Sequence, residues 1–154
     1  MLTWLADEKL LIAGAALSWL YVRAAADDRK RRRIADQMLC SVAIAGVVPH
    51  VFKWVVARER PDRTRVHGRR HGIPKSGNPW DSFPSGHAVH IGAIAPSAAR
   101  MVPKQFRPFV WLIAAPLAGT RLVLLAHYLS DVLAGLAIGT VIDRFVRRSF
   151  RRVN

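Results

Sequence analysis

The sequence predicts an all-α fold, a polytopic membrane helix bundle of about five spans. Three observations carry that expectation. Apolar residues make up 51% of the chain and fall in five long blocks. Lys and Arg outnumber Asp and Glu by 24 to 10 and gather between those blocks. A stretch rich in Pro and Gly, residues 58–83, keeps neither a helical nor a strand period and separates the second block from the third. Long apolar runs joined by basic loops are the pattern of a chain folded in a bilayer. With 154 residues, the expectation is one domain over 1–154.

The blocks are Leu10–Ala26, Met38–Ala57, His87–Val102, Phe109–Ala126 and Tyr128–Val146. A helix needs roughly 20 residues to cross the bilayer core. The second and fourth blocks meet that length; the third and fifth are short, with Arg100 and Asp143 placed near their ends. The first block has a rival reading as a signal peptide, since Ala24-Ala25-Ala26 offers small residues for cleavage. Asp7 and Glu8 in place of a basic lead, and the cluster Arg29–Arg33 directly after, favour an uncleaved helix. The fifth block runs into a basic tail, Arg144–Arg152.

Clustered cations also suit nucleic acid, but the aromatics lie in or beside apolar runs and are not interleaved with the basic residues, so no nucleic-acid partner is expected. Cys40 is the one cysteine, which excludes an intrachain disulfide.

Three polar clusters flank the blocks. Lys53 and, after six residues, Arg60-Pro61 close the second block. Pro84-Ser85-Gly86-His87 opens the third. Thr120-Arg121, five residues, His127, three residues and Asp131 bridge the fourth and fifth. Lys53, Arg60 and Arg121 put three cations at one face, a costly arrangement in a partly dry site unless an anion balances it. A phosphoryl group is that anion, because Arg forks pair with its oxygens. Ser85 and Gly86 begin a helix, where free N–H groups also favour an anion. His127 and Asp131, four apart, share a helix face; a carboxylate on one ring nitrogen leaves the other free to attack phosphorus. His87 is placed to protonate a leaving oxygen. Taken singly, Lys53 and Arg60 also read as interfacial snorkelling residues, and His127 with Asp131 as a structural polar pair. His50 and His90 read as packing residues, with His90 able to share the face of His87. His67 and His71 belong to a solvated basic loop, or to one lying on anionic headgroups.

Taken together, the three clusters resemble the signature of the type-2 phosphatidic acid phosphatase superfamily, which includes lipid phosphate phosphatases and vanadium haloperoxidase-like proteins. The signature is Lys-x6-Arg-Pro, Pro-Ser-Gly-His and Ser-Arg-x5-His-x3-Asp, with Thr120 here in the place of Ser. The resemblance implies His127 as nucleophile, Asp131 as its orienting partner and His87 as general acid. Lys53, Arg60, Ser85, Gly86 and Arg121 would form the phosphate cradle. It implies no metal and no cofactor, and an active site at one bilayer face. The implied reaction is dephosphorylation of a membrane lipid phosphate or diphosphate through a phosphohistidine. Candidate substrates are polyprenyl diphosphate, phosphatidic acid, phosphatidylglycerol phosphate and a prenyl-linked sugar phosphate. A lipid phosphotransferase using the same phosphohistidine is the alternative, and a non-enzymatic cationic protein on anionic lipid a further one. Haloperoxidases of this superfamily are larger and soluble, which the apolar blocks oppose.

With five spans, 14 of the 24 basic residues fall on the face opposite the motifs. Once the three phosphate-binding cations are set aside, seven remain on the motif face. The positive-inside bias then places the motifs outside the cytoplasm, in a bacterial inner membrane.

Overall fold

The computed structural model describes residues 8–61 and 78–152. Five α-helices carry the fold: α1 (Glu8–Ala25), α2 (Arg29–Val55), α3 (Gly86–Met101), α4 (Arg107–Val123) and α5 (Leu129–Arg152). A short 3₁₀ turn, Lys104–Phe106, leads into α4. Each helix contains or overlaps one of the five apolar blocks, but α2 starts nine residues ahead of its block and takes in the basic cluster Arg29–Arg33, and α5 runs on through the basic tail to Arg152. Among the described residues there is no strand, only an isolated bridge between Arg58 and Asp81.

Each start has a local cause. Asp28 caps α2, its carboxylate accepting from the Lys30 N–H at 2.8 Å. Ser85 caps α3 by accepting from the Ala88 N–H. Pro108 sits in the first turn of α4, where its missing N–H costs nothing. Pro49, Pro96 and Pro116 lie inside α2, α3 and α4.

The centre of the bundle is α3. It packs most extensively on α5, then on α2 and α4, and also touches α1. The α3–α5 crossing is close because it is glycine-lined. A methyl group at Gly139 would overlap the Val89 carbonyl, and one at Gly92 would overlap the Leu136 carbonyl. The core around this seam is built of small side chains, including Ala88, Ala93, Ala95 and Ala118. Small residues let two backbones approach, a device that works without a large apolar driving force.

Of the five expected spans, one passes a strict test. Among the described residues only α2 is long and apolar enough by itself to cross a membrane. The reason is visible in the others: α3 and α4 have 16 and 17 residues, while α1 carries Glu8, Lys9 and Arg23. At 24 residues α5 is long, but Asp131, Asp143 and its terminal arginines interrupt its apolar run. The outer faces are nevertheless apolar. Leu17, Tyr21, Trp54, Leu112, Ile113, Val141 and Phe145 all stand exposed.

Candidate active site

The expected site residues meet at one end of the bundle, where α2 ends, α3 begins, α4 ends and α5 begins. The chain leaving α2 and the chain entering α3 are fastened to each other there. Arg58 N–H bonds to the Trp80 carbonyl at 3.0 Å, Arg60 N–H to Pro79 at 2.9 Å, and Ser82 N–H to Arg58 at 3.0 Å. This short ladder puts Arg60, Asp81 and Ser82 side by side.

Asp81 organises the cations. Its Oδ2 lies 3.2 Å from Lys53 Nζ, and its Oδ1 lies 2.8 Å from Arg60 Nη2 and 3.1 Å from Nε. Burial alone would raise the Asp81 pKa. The Arg60 hydrogen bond, with the Lys53 and Arg60 charges, outweighs it and holds the carboxyl below its usual range. Arg60 is itself buried and spends Nη1 on the Ala126 carbonyl at 3.2 Å, beside His127.

His127 arrives by way of a tight helix end. The Ala126 N–H bonds to the Arg121 carbonyl at 3.1 Å and the Leu125 N–H to the Leu122 carbonyl at 3.0 Å. Leu125 has a φ of 51°. This is a Schellman closure with leucine where glycine is usual. It reverses the chain within a few residues and delivers His127 into the buried space below Ser82.

The ring is fixed by one bond. Nδ1 lies 2.6 Å from the Ser82 carbonyl oxygen. A carbonyl only accepts, so Nδ1 carries the proton and Nε2 keeps a lone pair. Burial, followed by the Arg60 charge, pushes the His127 pKa down to about 4 from an ordinary 6.5. The Ser82 bond and Asp131 oppose that shift, and Lys53 adds to it. The ring is therefore neutral near pH 7 and able to act as a nucleophile.

The sequence reading pairs Asp131 with His127 directly. The structure places Ser82 between them: its carbonyl takes the His127 proton and its hydroxyl donates to Asp131 Oδ2 at 2.6 Å. Fully buried Asp131 also accepts from the Tyr128 N–H at 2.9 Å and from Arg58 Nη1 at 2.5 Å. Arg58 lies over the Tyr128 ring, 4.4 Å from its centroid, and bonds Ser130 Oγ at 2.8 Å. The Asp131 carbonyl accepts from the Ser85 N–H at 3.1 Å, tying the start of α3 to that of α5.

His87, in the first turn of α3, is buried beside the Leu117 backbone, and among the described residues neither ring nitrogen makes a well-formed hydrogen bond. Arg121, in the last turn of α4, and His127 are both near enough for their charges to act on that ring. Gly86 faces Glu8 and Pro49, with Glu8 Oε2 3.4 Å from where a Cβ would stand. His90 is buried, with Nδ1 2.9 Å from the Gly86 carbonyl and Nε2 3.8 Å from Glu8 Oε1. His50 is exposed on α2. His67 and His71, with the basic loop around them, lie outside the described residues.

Arg58, Asp81, Ser82 and Glu8 are the neighbours that sequence reasoning missed. Arg58 stands two residues from Arg60, and Asp81 and Ser82 just before Pro84, so proximity to the motifs was the available signal. An acidic residue beside a phosphate cradle looks repulsive until its two cations are seen to share it. Among the described residues, no group of three His, Cys, Asp or Glu side chains is placed to hold a metal ion.

The chain belongs to the PAP2 superfamily, whose profile matches residues 36–154. The chain is 36% identical over 107 residues to the lipid A 1-phosphatase of Rhizobium etli, covering 69% of this chain and 46% of that protein. It is also 36% identical over 107 residues to the lipid A 1-phosphatase of Rhizobium johnstonii, covering 43% of that one. Against the decaprenylphosphoryl-5-phosphoribose phosphatase of Mycobacterium tuberculosis it is 29% identical over 103 residues, 67% of this chain and 54% of that protein. The chain thus spans about half the length of the curated relatives it matches. No solved structure matches it.

Proposed function

We propose that this chain removes phosphate from a lipid phosphate or diphosphate at a membrane, through a phosphohistidine formed on His127 and without a metal ion. The observation that carries the reading is the Nδ1–H bond from His127 to the Ser82 carbonyl, which leaves Nε2 its lone pair on a neutral ring within reach of the Arg60 and Lys53 charges.

In the first step Nε2 attacks phosphorus as the phosphorus–oxygen bond to the lipid breaks. His87 donates the proton that the departing oxygen takes up. Lys53, Arg60 and Arg121, with the free N–H groups at the start of α3 behind Ser85 and Gly86, balance the charge of the transferring group. Asp81 keeps Lys53 and Arg60 in place before substrate arrives. In the second step water attacks phospho-His127, His87 accepts its proton, and inorganic phosphate leaves. Asp131 is a positioning residue: it acts on His127 through Ser82.

The two kinds of relative act, by name, on lipid A and on a decaprenyl-linked phosphoribose, both lipid-anchored phosphates. Within the candidates given by the sequence, they favour a phosphorylated sugar carried on a lipid tail. The exposed apolar residues on α1, α2, α4 and α5 support a bundle set in lipid, with the short helix α3 enclosed by α2, α4 and α5. The charge bias favours the inner membrane of a bacterium, with the site on the extracytoplasmic face.

The test is phosphate release from a panel of lipid phosphates in uncharged detergent with excess chelator. His127→Ala is expected to lose at least about a thousandfold in turnover. Rapid quench of the unaltered chain should trap acid-labile, base-stable phosphate on His127. Near-normal turnover in His127→Ala would end the reading.

A further inference from the structure

At the end of the bundle opposite His127 lies a cavity of about 340 Å³ lined by Lys30, Arg33, Arg100, Arg107, Arg147 and Arg151. These cations come from the start of α2, the end of α3, the start of α4 and the end of α5, so the cavity draws on four helices. None of them belongs to the site described above. The 27 residues of α2 separate the two ends by about 40 Å.

Six cations around one cavity repel one another, and the chain supplies little to offset them. Among the described residues only Arg100 has a carboxylate partner, Asp143, whose Oδ1 lies 3.0 Å from its Nη2. Asp143 is fully buried and also accepts from Ser97 Oγ at 2.5 Å, which anchors Arg100 in place. Arg33 spends Nη2 on the Phe150 carbonyl. Yet Arg33 Nε, Arg147 Nε, and Nε and Nη1 of Arg100 are buried without a hydrogen-bond partner among the described residues. Buried donors are nearly always satisfied, so such a set is explained by a group that completes it. The starts of α2 and α4 bring two positive dipole ends and the ends of α3 and α5 two negative ones, so the charge of the cavity is that of its side chains.

We infer that this cavity is a second anion site, which binds a phosphate-bearing group, either the headgroup of an anionic lipid or free phosphate. Guanidinium forks match phosphate oxygens in pairs, and the cavity is large enough for a phosphoglycerol headgroup. The lipid source rests on the membrane reading of the bundle; the phosphate chemistry does not, and neither depends on turnover at His127.

The test uses the full chain in uncharged detergent and two probes. One is phosphatidylglycerol in mixed micelles, read as retained adducts by native mass spectrometry against a phosphatidylcholine control. The other is inorganic phosphate, read as a shift in the thermal midpoint. Because the His127 site also attracts phosphate, binding is taken as the difference between the unaltered chain and a Lys30→Gln/Arg107→Gln/Arg151→Gln variant. All three side chains are exposed, so the fold does not depend on them. Each cation near an anionic headgroup is worth roughly fivefold in affinity, so the triple variant should bind phosphatidylglycerol on the order of a hundredfold more weakly. Turnover on a short-chain substrate should stay unchanged. Arg151→Gln alone should give about a fivefold loss. Loss confined to phosphatidylglycerol assigns the site to a lipid headgroup; loss of both probes assigns it to any accessible phosphate. Equal binding of both probes by variant and unaltered chain overturns the inference.

Discussion

At the scale of single residues, Ser82 separates two roles that the sequence merges. Its carbonyl holds His127 and its hydroxyl holds Asp131. Ser82→Ala keeps the carbonyl and removes only the hydroxyl, so it should cost about 1–2 kcal/mol in stability and leave the tautomer of His127 intact. Nitrogen-15 shifts of the ring would check that: transfer of the proton from Nδ1 to Nε2 in Ser82→Ala would overturn it. Arg58→Ala strips the one cationic partner from a buried carboxylate; with Ser82 and the Tyr128 N–H still bound, the expected loss is about 2 kcal/mol by thermal unfolding. The His127 pKa also makes a pH prediction. An unfolded chain binds the proton near 6.5 and the folded chain only near 4. The unfolded state therefore holds more protons between those values, and stability falls as pH drops through that window, by up to about 3 kcal/mol. His127→Gln should flatten that slope in unfolding curves from pH 7 to pH 4. That Lys53, Arg60, His87, Arg121, His127 and Asp131 gather at one end of the bundle was legible because each of their clusters flanks an apolar block on the same side. Asp81 and Ser82 were not, because nothing in a linear order shows that residues 58–60 and 80–82 lie edge to edge.

At the scale of elements, the helices were legible from the apolar blocks and the start of α3 from Ser85 and Gly86, whereas the start of α2 at Asp28 was not, because its first turns are basic. The end of α4 was not. A Schellman closure is usually announced by Gly or Asn, and here Leu125 takes the left-handed position. The α3–α5 seam gives a paired prediction. Gly139→Ala drives a methyl group into the Val89 carbonyl, between two backbones that cannot both yield, and should cost about 2–3 kcal/mol. Gly119→Ala meets nothing within 4 Å and should be neutral or gain up to about 1 kcal/mol from helix propensity. Equal effects from the two substitutions would mean that the crossing is looser than the structure has it.

On the scale of the whole molecule, five helices present an apolar exterior and two polar ends of opposite use. The proposed orientation puts the His127 end outside and the Arg147–Arg151 end in the cytoplasm. In a Cys40→Ser background, a cysteine at Gly72 should be labelled by an impermeant reagent from outside, while a reporter that fluoresces only in the cytoplasm should light up at the C-terminus. A dark reporter with an unlabelled cysteine would invert the orientation. The ladder joining residues 58–60 to 80–82 has a consequence for how such a protein can vary. It pins residues 58–60 to residues 80–82, so for closure the connection between them counts as a ring with a fixed clasp. Ring length is then nearly free: halving it changes the closure cost by only about 0.6 kcal/mol, because the dependence on length is logarithmic. Lys53, Arg60, Asp81 and His127 would keep their registration while the ring is shortened, lengthened or exchanged. Relatives built on the same clasp can in that way differ in the length of the connection while the residues of the proposed site keep their places.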